Sequence, residues 1–119
     1  MKIINLTQHA ATAVQNDQGV FDFLSSEQKS ELLDFDVIPT KAELTRRAHA
    51  LANIAKDGGA SAAMIGGAPF FMGELEKVLK LSGVKPMYAF SKRDVLEMAQ
   101  ADGTVKKIAV FEHLGFFEA

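Results

Sequence analysis

The sequence has no cysteine and no tryptophan, a single tyrosine and only three prolines among its 119 residues. Without cysteine there is no disulfide framework, no thiolate zinc site and no cysteine nucleophile. No apolar run approaches the ~20 residues needed to span a bilayer, so no membrane partner is expected. The opening, Met1-Lys2-Ile3-Ile4-Asn5, shows neither the apolar stretch nor the cleavage site of a signal peptide, and a cytoplasmic protein is expected. Charge of one sign is lacking too. Residues 1–60 hold 6 Lys/Arg and 8 Asp/Glu, residues 61–119 hold 7 and 7, and the balance is the formal net charge of −2. A nucleic-acid duplex needs a basic face, which this distribution argues against. A small anionic ligand stays open, because it needs only a few local cations or a helix N-terminus. Linkers, low-complexity tracts and internal repeats are also missing. What remains is 48% hydrophobic and 24% charged, which excludes a disordered chain. One unit over residues 1–119, large enough to bury a core without staples, is expected.

The elements follow from periodicity and capping. Ile3-Ile4-Asn5-Leu6 is a short β-rich run and the expected first strand. Thr12 with Gln15 has capping-box spacing, and Gly19 can close a short helix. Val20–Leu24 reads as a second strand. Ser25 with Gln28 repeats the capping spacing and opens a helix carrying Leu32, Leu33 and Phe35. After Pro39, Thr40 and Glu43 fit a third capping box, and Leu44, Ala48, Leu51, Ala52 and Ala55 form one stripe at helical period. Ala62–Ile65 is short, apolar and bounded by glycine, as suits a central parallel strand covered on both faces. Pro69 stands at a plausible first helical position, and Phe71, Leu75, Val78 and Leu79 form the face of the helix it opens. Gly83 closes it, and Val84–Phe90 is a further strand. Asp102-Gly103 is a two-residue hairpin signal between Val95–Ala101 and Thr104–Phe111. The order β-α-β-α-α-β-α-β-β-β predicts an α/β protein. A three-layer Rossmann-like sandwich is expected, with a mostly parallel sheet and a C-terminal antiparallel hairpin.

In such a sheet, ligands bind beyond the carboxyl ends of the strands, where the strand order reverses. Three tripeptides fall there: Thr7-Gln8-His9, Gly66-Gly67-Ala68 and Ser91-Lys92-Arg93. Each is polar or glycine-rich and each directly follows an apolar strand. His9 is a candidate general acid or base, since imidazole titrates near neutrality; its bland alternative is a loop histidine with no role. Gly66 and Gly67 can present backbone N–H groups to a phosphate, or can simply make a tight strand-to-helix turn. They match neither a dinucleotide fingerprint nor a P-loop. Lys92 and Arg93 suit phosphate, or form a solvated turn with a weak ion pair to Asp94. Lys106-Lys107 reads as a solvated strand face. His9, His49 and His113 have no metal-ligand spacing, so no metal and no cofactor is expected. Phe70-Phe71 and Phe116-Phe117 read as core, unless exposed, in which case they suggest a homodimer face.

Four C-terminal stretches carry a resemblance: Met64–Gly67, Gly83–Arg93, Asp102–Val105 and Val110–His113, with a strand followed by His9, Thr12 and Gln15 nearer the start. In these the chain resembles the small single-domain CRISPR-associated ring nucleases built on the CRISPR-associated Rossmann fold. The resemblance implies a homodimer that binds a cyclic oligoadenylate across its two-fold axis and cuts this second messenger, switching off the effectors it activates. It also implies metal-independent chemistry, in which a ribose 2′-OH attacks its own adjacent phosphate and leaves a 2′,3′-cyclic phosphate. Here Lys92, Arg93 and the Gly66/Gly67 amides would hold charge on the phosphate. His9 would be a useful base, and Thr7, Gln8 and Ser91 would line the ligand.

Three readings follow. The first is that ring nuclease, an enzyme with His9, Lys92 and Arg93 as catalytic residues. The second is a non-catalytic nucleotide-sensing or protein-interaction module of the same fold. The third is a structural protein whose Phe-rich C-terminus is its interface. The ligand readings place Lys92 and Arg93 beside the loops of Thr7 and Gly66; if the fold points them away, the ligand readings fail together.

Overall fold

The computed structural model describes residues 1–119. In chain order the elements are β1 (Ile3–Asn5), α1 (Ala13–Asp17), β2 (Val20–Phe21), α2 (Ser26–Leu33), α3 (Lys41–Asp57), β3 (Ala62–Ile65), α4 (Pro69–Leu81), β4 (Lys85–Ala99) and β5 (Val105–Glu118). Two expected capping boxes form in full. Thr12 Oγ1 accepts from the Gln15 amide while Thr12 N–H donates to the Gln15 side chain, and Ser25 and Gln28 do the same. At α3 only half the box forms. Thr40 Oγ1 accepts from Glu43 N–H. The Glu43 carboxylate turns instead to Arg46 and Arg47, at 2.7 and 2.9 Å, because two guanidinium groups outcompete one backbone amide.

The sheet runs β2-β1-β3-β4-β5, parallel throughout except for the antiparallel β4–β5 pair. The second strand lies on one side of β1 and the third on the other, so the order reverses between β1 and β3. The protein is therefore mixed α/β with a mostly parallel sheet and a terminal hairpin, as expected.

The layering is uneven. Ile4, Leu6, Ala63 and Ile65 face α2, α3 and α4, and with Leu51, Phe71, Leu75 and Leu79 they make the main core. Ile3, Val20, Ala62, Met64 and Met87 face the other way, against only Ala11 and Phe116. The link from β1 to β2 is short, and much of it is the polar loop Thr7–Ala11, so α1 has only five residues. All four residues of β3 are buried, as their apolar run implied.

The C-terminal third departs from expectation. Val84–Phe90 does not end before Ser91-Lys92-Arg93, and those residues form no loop. β4 continues through them to Ala99 and pairs with β5 along its length, with an irregularity between Phe90 and Ser91. Polar side chains do not end a strand whose backbone partners continue and whose faces both meet water. The turn is also longer than the two residues expected. Gln100 N–H donates to Thr104 O, leaving Ala101-Asp102-Gly103 as the loop, with Gly103 at φ +88°. Asp102 accepts from the Thr104 amide and hydroxyl, which fixes the corner and lowers its carboxyl pKa.

This hairpin stands off the body. The molecule measures 57 × 35 × 24 Å, with a radius of gyration of 17.1 Å. A compact chain of this length has about 13–14 Å. Residues 90–114 make the projecting arm, and none of them is buried.

Candidate functional site

The reversal between β1 and β3 opens a cleft of about 390 Å³. Its walls include Thr7, Gln8 and His9 after β1, Gly66 and Gly67 after β3, and Tyr88 on β4. Five of the residues expected from the sequence thus converge. Ser91, Lys92 and Arg93 do not line it: Tyr88 and Ala89 form its rim, and the three lie farther out on the arm. Lys92 stands 3.8 Å from Asp94, both exposed, and the Arg93 guanidinium lies 6.0 Å from the Phe111 ring centroid. No lysine or arginine of the same chain lines the cleft. A single chain therefore does not carry a complete phosphate-binding site of the kind the sequence suggested, and by the test set above the ligand readings fail for the single chain.

The Thr7–Ala11 loop is held by a buried residue that no motif singled out. Asn5, the last residue of β1, is 2% exposed. Its Nδ2 donates to His9 O at 2.6 Å and to Asp22 Oδ1 at 2.8 Å. Its Oδ1 accepts from Thr7 N–H at 2.9 Å and from the Thr7 hydroxyl at 2.6 Å. Asp22 also accepts from Ala11 N–H. One buried amide therefore uses both its donors and its acceptor to tie the loop to β1 and to the end of β2. A polar residue ending an apolar strand run is the signal that could have shown it, since such groups are buried only when satisfied. Its partner Asp22, 17 residues away, could not be read from local sequence.

The other walls are polar and uncharged. Gln15, nearly buried, spends its Oε1 on the α1 cap, which leaves its Nε2 with no partner in the chain. Gly67 sits at φ +151°, a conformation open to glycine, and its turn leads into α4. α4 begins with Pro69, which has no N–H, and has no side-chain cap; its Phe71 N–H already donates to Ala68 O at 3.0 Å. Tyr88 Oη donates to Glu76 Oε2 at 2.6 Å. Burial, and then that hydrogen bond, push the phenol well above its ordinary pKa. Tyr88 is thus a neutral donor-acceptor and not a base. Gln8 reaches the other way, donating to Asp34. His9 lines the cleft, is exposed, and its ring makes no hydrogen bond within the chain. His49 is exposed on α3. His113, on β5, meets Gln18 through Nε2 at 2.7 Å and packs edge-on against Phe116. The three histidines remain apart, and no three His, Asp or Glu side chains converge as metal ligands do.

Fold and cleft together define a mixed α/β protein with a polar crevice at the point of strand reversal and a β-ribbon rising from its rim. No helix is long and apolar enough to cross a membrane. The chain belongs to the uncharacterized protein MJ1673 family, whose model matches residues 1–117. No curated protein and no solved structure matches it.

Proposed function

We propose that the cleft binds a nucleotide, and that the ligand is one unit of a cyclic oligoadenylate shared between two copies of the chain. One observation carries the reading: Thr7-Gln8-His9 and Gly66-Gly67 meet in a single cleft at the strand reversal, where ligands of doubly wound sheets bind. The reversed strand order and the parallel sheet covered on one face by α2, α3 and α4 support a Rossmann-like reading. A volume of about 390 Å³ suits a small ligand or a single nucleotide, and is too small for a whole ring. Neutral donors and acceptors at Gln15, Thr7 and Tyr88 suit a base or ribose edge.

The resemblance to ring nucleases supplies the chemistry. The 2′-oxygen of one ribose bonds to its neighbouring phosphorus, the 5′-oxygen leaves with a proton, and the product ends in a 2′,3′-cyclic phosphate. The nucleophile belongs to the substrate, so positioning is the protein's main task. In this reading His9 takes or gives the proton. Cations for the phosphate must come from outside the chain's own cleft.

A second reading, nucleotide sensing without cleavage, is favoured by that absence of cations. Incubation with cyclic tri-, tetra- and hexa-adenylate in the presence of a chelator, with products resolved by mass spectrometry, separates the two. Linear products ending in 2′,3′-cyclic phosphate establish the nuclease. Binding with intact rings establishes the sensor. Neither binding nor products for any ring refutes the nucleotide reading.

A further inference from the structure

We infer that Gln15 is the residue that reads the base in the cleft, and that it does so by donating a hydrogen bond to a ring nitrogen. This rests on the nucleotide reading and deepens it, by naming the part of the adenylate that enters and the kind of atom recognised. Gln15 lines the cleft and is 9% exposed. Its Oε1 accepts from Thr12 N–H at 3.0 Å, and its own N–H donates to Thr12 Oγ1 at 3.1 Å. Its Nε2 makes no hydrogen bond within the chain, and the open space beside the residue is the cleft. Polar groups this deeply buried normally have a partner.

The capping box fixes which way round the amide stands. Turning it over would set Nε2 against Thr12 N–H, donor against donor, and the cap would be lost. Gln15 therefore offers the cleft a donor and not an acceptor. The residue type agrees with this. Glu at the same helical position would cap equally well, and its charge would favour the helix start, where α1 has no acidic residue. Only Gln both caps and donates. Gln28 makes the same box on α2, but it is less buried and does not line the cleft.

Size decides which part of the ligand reaches that donor. The cleft holds about 390 Å³, enough for one nucleotide unit and not for a ring. In a cyclic oligoadenylate every ribose and phosphate is tied into the closed backbone. The base alone hangs free, so the base is what can reach a buried wall. Phosphate is also a poor match, since no lysine or arginine lines the cleft. Met64, Ile65 and Ala89 offer apolar contact to a flat ring. The acceptors of adenine are its ring nitrogens, N1, N3 and N7, whereas its exocyclic amine donates. A fixed donor therefore pairs with one of the three nitrogens and not with the amine.

The test varies ligand and residue together, on the full chain. Cyclic tri-, tetra- and hexa-adenylate are titrated by calorimetry, and a ring that binds is remade with 1-deaza-, 3-deaza- or 7-deaza-adenine. Each remade ring carries a C–H where one ring nitrogen stood and keeps its shape. One of the three is expected to bind roughly 10-fold or more weakly than the parent, because it leaves a buried donor unpaired. Gln15→Glu keeps the cap and withdraws the donor. It is expected to weaken the parent ring to a similar degree and to bind the parent and that deaza ring alike, a coupling that a merely structural role would not produce. Its helical circular dichroism is expected to match the wild type. If the variant loses that helical signal, the Gln15 side-chain amide resonance of the wild type decides: it shifts on adding the parent ring and stays in place with the weak deaza ring. Three deaza rings that bind alike overturn the inference and leave the nucleotide reading standing. So does a deaza penalty that survives Gln15→Glu, or an amide resonance that ignores the parent ring. Binding of no ring at all overturns both.

Discussion

The body and the arm of this molecule are built under opposite conditions. All 25 buried residues lie at or before Met87; the 32 residues that follow contain none. The body, residues 1–89, folds as small domains do, by burying alternate strand residues and helical stripes in one contiguous core. The arm is a ladder with its turn, 25 residues in all, and has no core. It is held within the chain by backbone pairing, cross-strand contacts and one contact to the body, between His113 Nε2 and Gln18 Oε1 at 2.7 Å, which is weak support. The lesson is that order in the body rests on burial, whereas order in the arm rests on pairing.

The comparison can be broken at its strongest point first. Phe71 is 1% exposed and Phe111 is 69% exposed. Phe71→Ala is expected to lower the unfolding free energy by about 3–5 kcal/mol in urea titrations. Phe111→Ala should change it by less than ~0.5 kcal/mol. Equal losses would remove the distinction between the two regions.

The next effect sharpens the boundary between folding and binding. Asn5→Ala strands the Thr7 N–H and hydroxyl and the His9 carbonyl and leaves Asp22 without its amide, at a cost of about 1–3 kcal/mol. Nucleotide affinity should fall by more than stability alone explains, because the cleft loop loses its register. Calorimetric titration under folding conditions checks this, and unchanged affinity would show that the loop is positioned some other way.

Gly19→Ala tests the junction of β1 and β2. Gly19 has φ +102°, and an added Cβ would lie 2.2 Å from the Met1 carbonyl oxygen. The chain end at Met1 can shift, so a moderate loss of about 1–2 kcal/mol is expected in the same denaturation assay. A neutral result would mean that the residue adopts an ordinary backbone conformation.

The smallest effect concerns pH. Hydrogen bonds from Arg46, then Arg47, hold the Glu43 carboxyl at about 2, from an ordinary 4.5. A depressed carboxylate contributes stability above its unfolded pKa and loses it as pH falls toward the folded value. The contribution is therefore full above about 4.5 and fades toward about 2. Glu43→Gln should flatten that part of the stability profile slightly, in thermal melts taken across the interval.

How much of this was legible follows the same division. In the body, local rules and tertiary structure agree. The Thr12/Gln15 and Ser25/Gln28 boxes, the α3 stripe and the buried run of β3 all stand where spacing put them. Three cleft segments were expected at the strand ends, and two are there. The third, Ser91-Lys92-Arg93, was misplaced because the arm buries nothing. Polar residues inside a strand then look the same as a loop, since alternation is the mark of a half-buried face. Asn5 was missed for the opposite reason. Its role depends on Asp22 and on the His9 carbonyl, contacts that exist only once β1 and β2 are paired.

The central claim is that the body offers half a site for a ring shared between two copies of the chain. Titration of cyclic tetra-adenylate into the wild-type protein, followed by calorimetry, tests it most directly. The account predicts saturation at one ring per two chains. Saturation at one ring per chain, or no binding, would contradict it.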